Sequence, residues 1–356
     1  MTFERPNIAR MQGYKPGEQL DGGNIIKLNT NENPYPPAPA VTEALQDIDT
    51  AALRRYPPPT ASTFRQAVAN LHGIQPENII ATNGGDELLR LALTTFVSPG
   101  ACIVTTQPSY SLYPVLAEIQ GCEYREIALN DDWSMPQDFL GQLEQTAASM
   151  CLLVNPHAPT GQLLSADYLE TISKGFPGVL LIDEAYVDFV DEDQAYSAIE
   201  LATTSDNVLL LRTLSKGYSL AGLRFGYGIG NRSLIEPMQF KTRDSYNTDL
   251  IAQKLATAAI QSQDYARETW KSVRQERKRL HTELEALGFM VAPSQTNFLL
   301  ATAPAGSDAE SLYQGLKQRQ ILVRHFQQPR LEDKLRISVG TPDENSKLLS
   351  ALAELL

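Results

Sequence analysis

Val208-Leu209-Leu210-Leu211-Arg212-Thr213-Leu214-Ser215-Lys216-Gly217-Tyr218 runs from four apolar residues straight into a polar turn that holds one lysine. An unbroken apolar run of this length, without polar alternation, reads as a strand buried on both faces, the habit of parallel sheets. The same pattern recurs at Ile79–Thr82, Ala101–Thr105, Cys151–Val154 and Val179–Ile182. Amphipathic stretches, among them Asp86–Phe96 and Ala166–Ser173, carry helical spacing between these runs. Apolar strands alternating with helices predict an α/β fold, a mainly parallel sheet covered by helices on both faces. Ligands of such sheets collect beyond the carboxyl ends of the strands, where Lys216 falls.

Outward from this core the texture changes twice. Residues 1 to about 40 read as extended and irregular, because Asn33-Pro34 and Pro36-Pro37 exclude a long helix. Beyond about 240, Tyr265–Leu287 reads as an exposed helix of mixed charge. After it Gly288–Ala292, Asn297–Ala301, Ile321–Val323 and Leu335–Val339 read as strands of a smaller α+β domain. At 356 residues the chain exceeds one typical domain. The expected division is an arm at 1–40 that belongs with the small domain, a large domain at 41–240 and a small C-terminal domain at 241–356.

A hydrophobic fraction of 42% and a charged fraction of 20% describe a globular chain with a sizeable core. Its formal net charge of −12 opposes nucleic acid and anionic membranes as partners. Cys102, Cys122 and Cys151 stand apart, an odd number without zinc-type pairing, and point to reduced thiols of a cytoplasmic protein. Met1 to Arg10 lacks a signal-peptide core, and no apolar run reaches membrane-spanning length. His72, His157, His281 and His325 are too scattered to suggest a metal site.

Three segments carry chemistry. Asn83-Gly84-Gly85-Asp86-Glu87 sits between a strand and a helix, where glycines let backbone amides approach a phosphate at the positive helix end. A plain turn with Asp86 as its cap reads the same way. Asp183, closing the apolar run Val179–Ile182, can hold a ring nitrogen protonated, as an electron-sink cofactor requires; Tyr186 follows within reach of a phenolic oxygen. An acidic helix cap is the alternative there. Lys216, with Thr213, Ser215 and Arg224 nearby, has the composition of an imine-forming lysine beside a phosphate cradle.

The order of these three segments resembles the fold-type I pyridoxal-phosphate (PLP) aminotransferases, and more narrowly the histidinol-phosphate aminotransferases. The resemblance extends through Leu28–Pro34 (LNTNENP), Arg55–Pro59 (RYPPP), Pro108–Tyr113 (PSYSLY), Asn155–Gly161 (NPHAPTG) and Leu335–Pro342 (LRISVGTP), nearly the whole chain. It implies pyridoxal 5'-phosphate bound covalently to Lys216, with Asp183 on the pyridinium nitrogen and Tyr110 stacked on the ring. Gly85 and Asp86 amides, Thr213, Ser215 and Arg224 would hold the phosphate. Tyr56 would reach it from a neighbouring subunit, which implies a homodimer with shared sites. The family's asparagine before Pro-Thr-Gly is Ala158 here. Asn155, His157 or Tyr186 alone are left to supply its contact with the phenolic oxygen.

For the substrate, the resemblance points to Arg324 and Arg336, with Tyr14 and, near the entrance, Asn33. Guanidinium groups suit a phosphate or a carboxylate equally. Three readings follow: transamination of L-histidinol phosphate with 2-oxoglutarate; an aromatic aminotransferase or O-phosphothreonine decarboxylase on the same scaffold; or an aminotransferase-like regulator. The regulator requires a DNA-binding module, for which an acidic chain that spends its first 60 residues on site segments leaves little room. The partners expected are therefore small molecules, an amino donor and a 2-oxo acid.

Overall fold

The computed structural model describes residues 3–14, 17–19 and 25–356. Its strands run in chain order as β1 (Ile26–Lys27), β2 (Ile79–Thr82), β3 (Cys102–Gln107), β4 (Glu123–Ala128), β5 (Met150–Val154), β6 (Val179–Asp183) and β7 (Val208–Thr213). There follow β8 (Gly226–Gly230), β9 (Met290–Val291), β10 (Phe298–Thr302), β11 (Ile321–Leu322), β12 (Arg324–His325) and β13 (Lys334–Ser338). Seven of them form one sheet in the order β2-β8-β7-β6-β5-β3-β4. Only β8 runs against the rest, antiparallel to both β2 and β7. The mainly parallel sheet expected from the apolar runs is what forms.

Side chains along these strands alternate between two cores. Leu180, Ile182, Val208 and Leu210 pack against the helices Ser62–His72, Ala166–Gly175 and Leu250–Gln261. Leu181, Leu209 and Leu211 enter the opposite core, with the helices Gly84–Phe96 and Leu112–Gln120. Two apolar layers explain why the strands have no polar alternation.

The predicted strand set missed β4 and β8 for opposite reasons. β4 is an edge strand whose Glu123, Arg125 and Glu126 are exposed, as edges commonly are. β8, Gly226-Tyr-Gly-Ile-Gly230, is rich in a residue that normally weakens strands, yet it is buried throughout. A Cβ on Gly226 would stand 2.9 Å from the Arg212 carbonyl oxygen and from the backbone of Gly84. The glycine is the condition for close packing.

The smaller sheet has the order β12-β13-β10-β9, all antiparallel, and β1 pairs with β11 beside it in parallel. Leu28, just after β1, joins Leu280, Leu312, Leu335, Ile337 and Leu348 in a single core, so the arm is built into the C-terminal layer. Two expectations need correcting. Residues 1–40 are not simply extended: the helices Pro6–Arg10 and Pro39–Gln46 each begin with proline at the first position, where its missing amide costs nothing. The long helix, Gln263–Ala286, is not simply exposed either; it buries Ala266, Val273, Arg277, Leu280 and Leu284 at spacings of three, four and seven. Its charge density had hidden that stripe.

Candidate active site

Lys216 lies three residues beyond the carboxyl end of β7, in a cavity of about 890 Å³ bounded by the ends of β5, β6 and β7 and by β12 and β13. Its Nζ donates to the Thr30 carbonyl at 2.8 Å and stands 5.9 Å from the centre of the Tyr186 ring. Burial first, then the Arg336 guanidinium, bring its pKa down to about 8, with Glu32 acting the other way. The neutral amine is thus within reach near physiological pH. The turn behind it is tied from both ends of the chain, because Trp270 Nε1 and Asn33 Nδ2 both donate to the Gly217 carbonyl, at 2.7 and 3.2 Å.

Asp183, the last residue of β6, places a carboxylate in the cavity wall with 5% exposure. One oxygen accepts from the Ala185 amide and the other from the Tyr113 hydroxyl, both at 3.1 Å. Burial nevertheless pushes its pKa up to about 6, against these two donors. The geometry favours the wall position over the alternative of a helix cap. Beside it the Tyr186 hydroxyl accepts from Asn31 Nδ2 at 3.0 Å. Asn31 is in turn fixed by the Ser338 hydroxyl, which donates to its Oδ1 at 2.9 Å, and by a left-handed backbone (φ 56°) that asparagine tolerates.

At the other end of the same wall, hydroxyls and a cation converge. Thr213 Oγ1 donates to Ser215 Oγ at 2.9 Å, and Arg224 Nη1 donates to the same oxygen at 3.3 Å. Arg224 also pairs with Asp86 at 3.3 Å, a half-exposed contact worth little by itself. The helix Gly84–Phe96 begins here, so the amides of its first turn, Gly85 and Asp86 included, have no partner within the helix. Its cap position is Asn83, not the Asp86 that a plain capped turn would use. Gly84 has φ +75°, and a Cβ there would stand 2.8 Å from Arg224 Nη2. The cradle is shaped by the absence of side chains and has the donor set of a phosphate site.

Arg324 and Arg336 face each other as register partners on β12 and β13, and both line the cavity. Arg336 donates to the Asn29 carbonyl at 3.0 Å and lies over the rings of Phe298 and Phe326, at 5.2 and 5.6 Å. Its Nε is buried with no hydrogen-bond partner. Among the described residues neither arginine forms an ion pair with a carboxylate. Two cations lining one cavity, neither of them paired with a carboxylate, describe a receptor for an anion.

The remaining expected residues divide. Tyr110 and Tyr14 line the cavity and meet edge to face at 6.0 Å; Lys15 and Pro16 of the Tyr14 segment lie outside the described residues. Tyr56 is not in the cavity: it is 79% exposed and stacked on Tyr246 at 4.3 Å. Asn33 is not among the residues lining the cavity; it sits at the lysine turn, where its Nδ2 donates to the Gly217 carbonyl and its Oδ1 accepts from the Tyr35 amide. Ala158 does line the cavity, but neither proposed side-chain replacement reaches it. Asn155 is spent on the Leu164 backbone in both directions, and His157 on Thr106 and Thr160. Burial brings His157 down to about 4, so it is neutral. Asn31 and Tyr113 were missed; both lie inside segments already singled out, but nothing in their spacing says which side chains point inward.

The chain matches the family model for class I and II aminotransferases over residues 23–352. It is 46% identical to histidinol-phosphate aminotransferase 1 of Nostoc sp. over 356 residues, covering 100% of this chain and 98% of that protein. With the histidinol-phosphate aminotransferase of Microcystis aeruginosa it shares 44% identity, covering 100% and 99%. Among solved structures, the histidinol-phosphate aminotransferase of Sinorhizobium meliloti, in complex with pyridoxal-5'-phosphate, superposes with a TM-score of 0.90 at 26% identity, covering 100% and 98%. The chain therefore belongs to the class I and II aminotransferases and, within them, to the histidinol-phosphate aminotransferases.

Proposed function

We propose that this enzyme transfers the amino group of L-histidinol phosphate to 2-oxoglutarate, giving imidazole-acetol phosphate and glutamate, as a step of histidine biosynthesis. The observation that carries the substrate choice is the pair Arg324 and Arg336, lining one cavity with neither held in an ion pair among the described residues. A phosphate dianion answers two guanidinium groups better than a single carboxylate does.

The residues present fit pyridoxal 5'-phosphate. Thr213, Ser215, Arg224 and the amides of Gly85 and Asp86 would hold its phosphate, Asp183 its ring nitrogen and Tyr110 one ring face. Tyr186, held by Asn31, would meet the phenolic oxygen, the contact left open by Ala158. When bound, the cofactor supplies an electron sink for the pair released as the donor's carbon loses its proton. Lys216 both anchors the cofactor and carries that proton. Its Nζ, lowered to about 8, is basic enough to accept it and exchanges it readily near neutral pH. Tyr14, edge to face with Tyr110 in the cavity lining, would lie over the bound substrate.

The same reading makes the enzyme a homodimer, with Tyr56 entering the second subunit's site; its exposed ring stacked on Tyr246 suits that task. It also divides the chain into the arm at 1–40, the PLP-binding domain at 41–240 and the small domain at 241–356. A cytoplasmic location agrees with three free cysteines. Among the described residues no helix is long and apolar enough to cross a membrane. The deciding experiment is turnover against a panel of histidinol phosphate, phenylalanine, tyrosine, histidine, aspartate and O-phosphothreonine. Histidinol phosphate should lead. Faster turnover of phenylalanine or tyrosine would transfer the assignment to an aromatic aminotransferase.

A further inference from the structure

Tyr113 belongs to no role assigned so far, yet it is built into the site from behind. It is the second residue of the helix Leu112–Gln120 and is fully buried, part of the same core as Leu89, Leu116 and Val154, with its ring edge to face with Tyr110 at 5.5 Å. A phenylalanine would fill the same space. The hydroxyl is the one part of the side chain that packing does not require, and a buried hydroxyl costs free energy unless it is bonded. Its bond goes to Asp183 Oδ2 at 3.1 Å, while Ala185 serves Oδ1.

We propose that Tyr113 is a positioning residue: by donating to Asp183 it keeps that carboxylate ionised and aimed, so that the proton shared with the cofactor's ring nitrogen stays on the nitrogen. This rests on the assignment of Asp183 to that nitrogen. The need for such a donor is visible in the surroundings. Burial raises the proton affinity of Asp183, and so do the carboxylates of Asp86, on the helix that begins at Gly84, and of neighbouring Glu184. A hydrogen bond to the charged form acts in the opposite direction. Without Tyr113 only the Ala185 amide remains, and the carboxylate becomes the stronger base of the pair. The proton then moves from nitrogen to oxygen and the electron sink weakens, although nothing that touches substrate has changed.

The test uses holoenzyme reconstituted with PLP labelled by ¹⁵N in the ring, whose NMR shift separates a protonated from an unprotonated nitrogen. The native enzyme should read protonated, and Tyr113→Phe should move toward unprotonated. With it kcat should fall on the order of 10-fold, the effect of one lost hydrogen bond to a charged group, while KM for the amino donor stays nearly unchanged. Replacing Tyr113 by 3-fluorotyrosine, a stronger donor of nearly the same shape, should hold the nitrogen at least as fully protonated as in the native enzyme. A Tyr113→Phe shift identical to native overturns the proposal, whatever happens to kcat. So does a fluorotyrosine enzyme whose ring nitrogen reads less protonated than the native one, and this second arm stands even if Tyr113→Phe does not fold. An unprotonated nitrogen in the native enzyme would instead bring down the Asp183 assignment itself.

Discussion

Replacing Arg336 by alanine separates two effects that the structure superimposes on one side chain. The guanidinium is a candidate phosphate ligand, and it is also the largest charge effect lowering the Lys216 pKa. Removing it leaves a bound phosphate with Arg324 alone, a loss of about 2–5 kcal/mol for one member of a desolvated charge pair. That corresponds to a fall in kcat/KM for histidinol phosphate of roughly 30-fold or more. Removal also lets the Lys216 pKa climb from about 8, so that less neutral amine is present at pH 7. The second effect is common to every amino donor, whereas the first requires a phosphate. Assaying native enzyme and variant on histidinol phosphate and on histidinol, which share the reacting amine and the imidazole, therefore isolates the clamp. The native enzyme should favour the phosphate ester strongly, and Arg336→Ala should lose most of that preference. Arg336→Lys should recover only part, because an ammonium cannot bind two phosphate oxygens in the plane of a guanidinium. If the native enzyme turns over histidinol and its phosphate equally well, the clamp does not exist.

Three further outcomes are expected. Lys216 has its pKa lowered, so the reactive neutral amine accumulates as pH rises: PLP capture by apoenzyme should climb about tenfold per unit below pH 8 and level off above it, and stopped-flow absorbance that climbs steadily toward pH 10 would contradict the lowered value. Mixing inactive Lys216→Ala with Tyr56→Ala and allowing subunits to exchange should regenerate activity, since one hybrid site then holds both native residues; no recovery in gel-filtered hybrids would count against sharing across subunits. Glu184→Gln should cost about 3–5 kcal/mol in urea unfolding, because Glu184 is fully buried against Arg212 at 2.8 Å and its loss strands a buried cation; a cost under about 1 kcal/mol, the range of exposed pairs, would contradict that picture.

How much could be read beforehand follows from what each residue touches. Strands with both faces covered announce themselves by apolar runs, which is why β2, β3, β5, β6 and β7 were legible to within two residues. β4 and β8 were not, because an edge tolerates charge and a crowded centre tolerates only glycine. The same limit governs the site. Asp183, Lys216, Thr213 and Ser215 lie at or just past the carboxyl ends of strands, a position that chain order reveals. Asn31 depends on Ser338 and Asn297, and Asn33 on the Gly217 carbonyl, each pairing two residues more than 180 positions apart. Local spacing holds no record of such pairs. Asn155 and His157 looked available for a ligand because polarity is visible in a sequence, whereas prior commitment to Leu164 and Thr160 is not.

The grip on Gly217 ties the timing of the site to the synthesis of the chain. Its two donors come from Asn33, more than 180 residues before the lysine turn, and from Trp270, more than 50 residues after it. The last strand of the large sheet, β8, ends at Gly230, so for an interval every strand of that sheet is made while Trp270, Arg336 and the core residues Val273, Phe298 and Val339 are not. Through that interval the lysine turn lacks one of its two anchors, and the amine lacks the cation that lowers its pKa. A nascent chain thus carries the lysine before it carries a competent site, which takes shape only once residues beyond β8 have packed against the lysine turn.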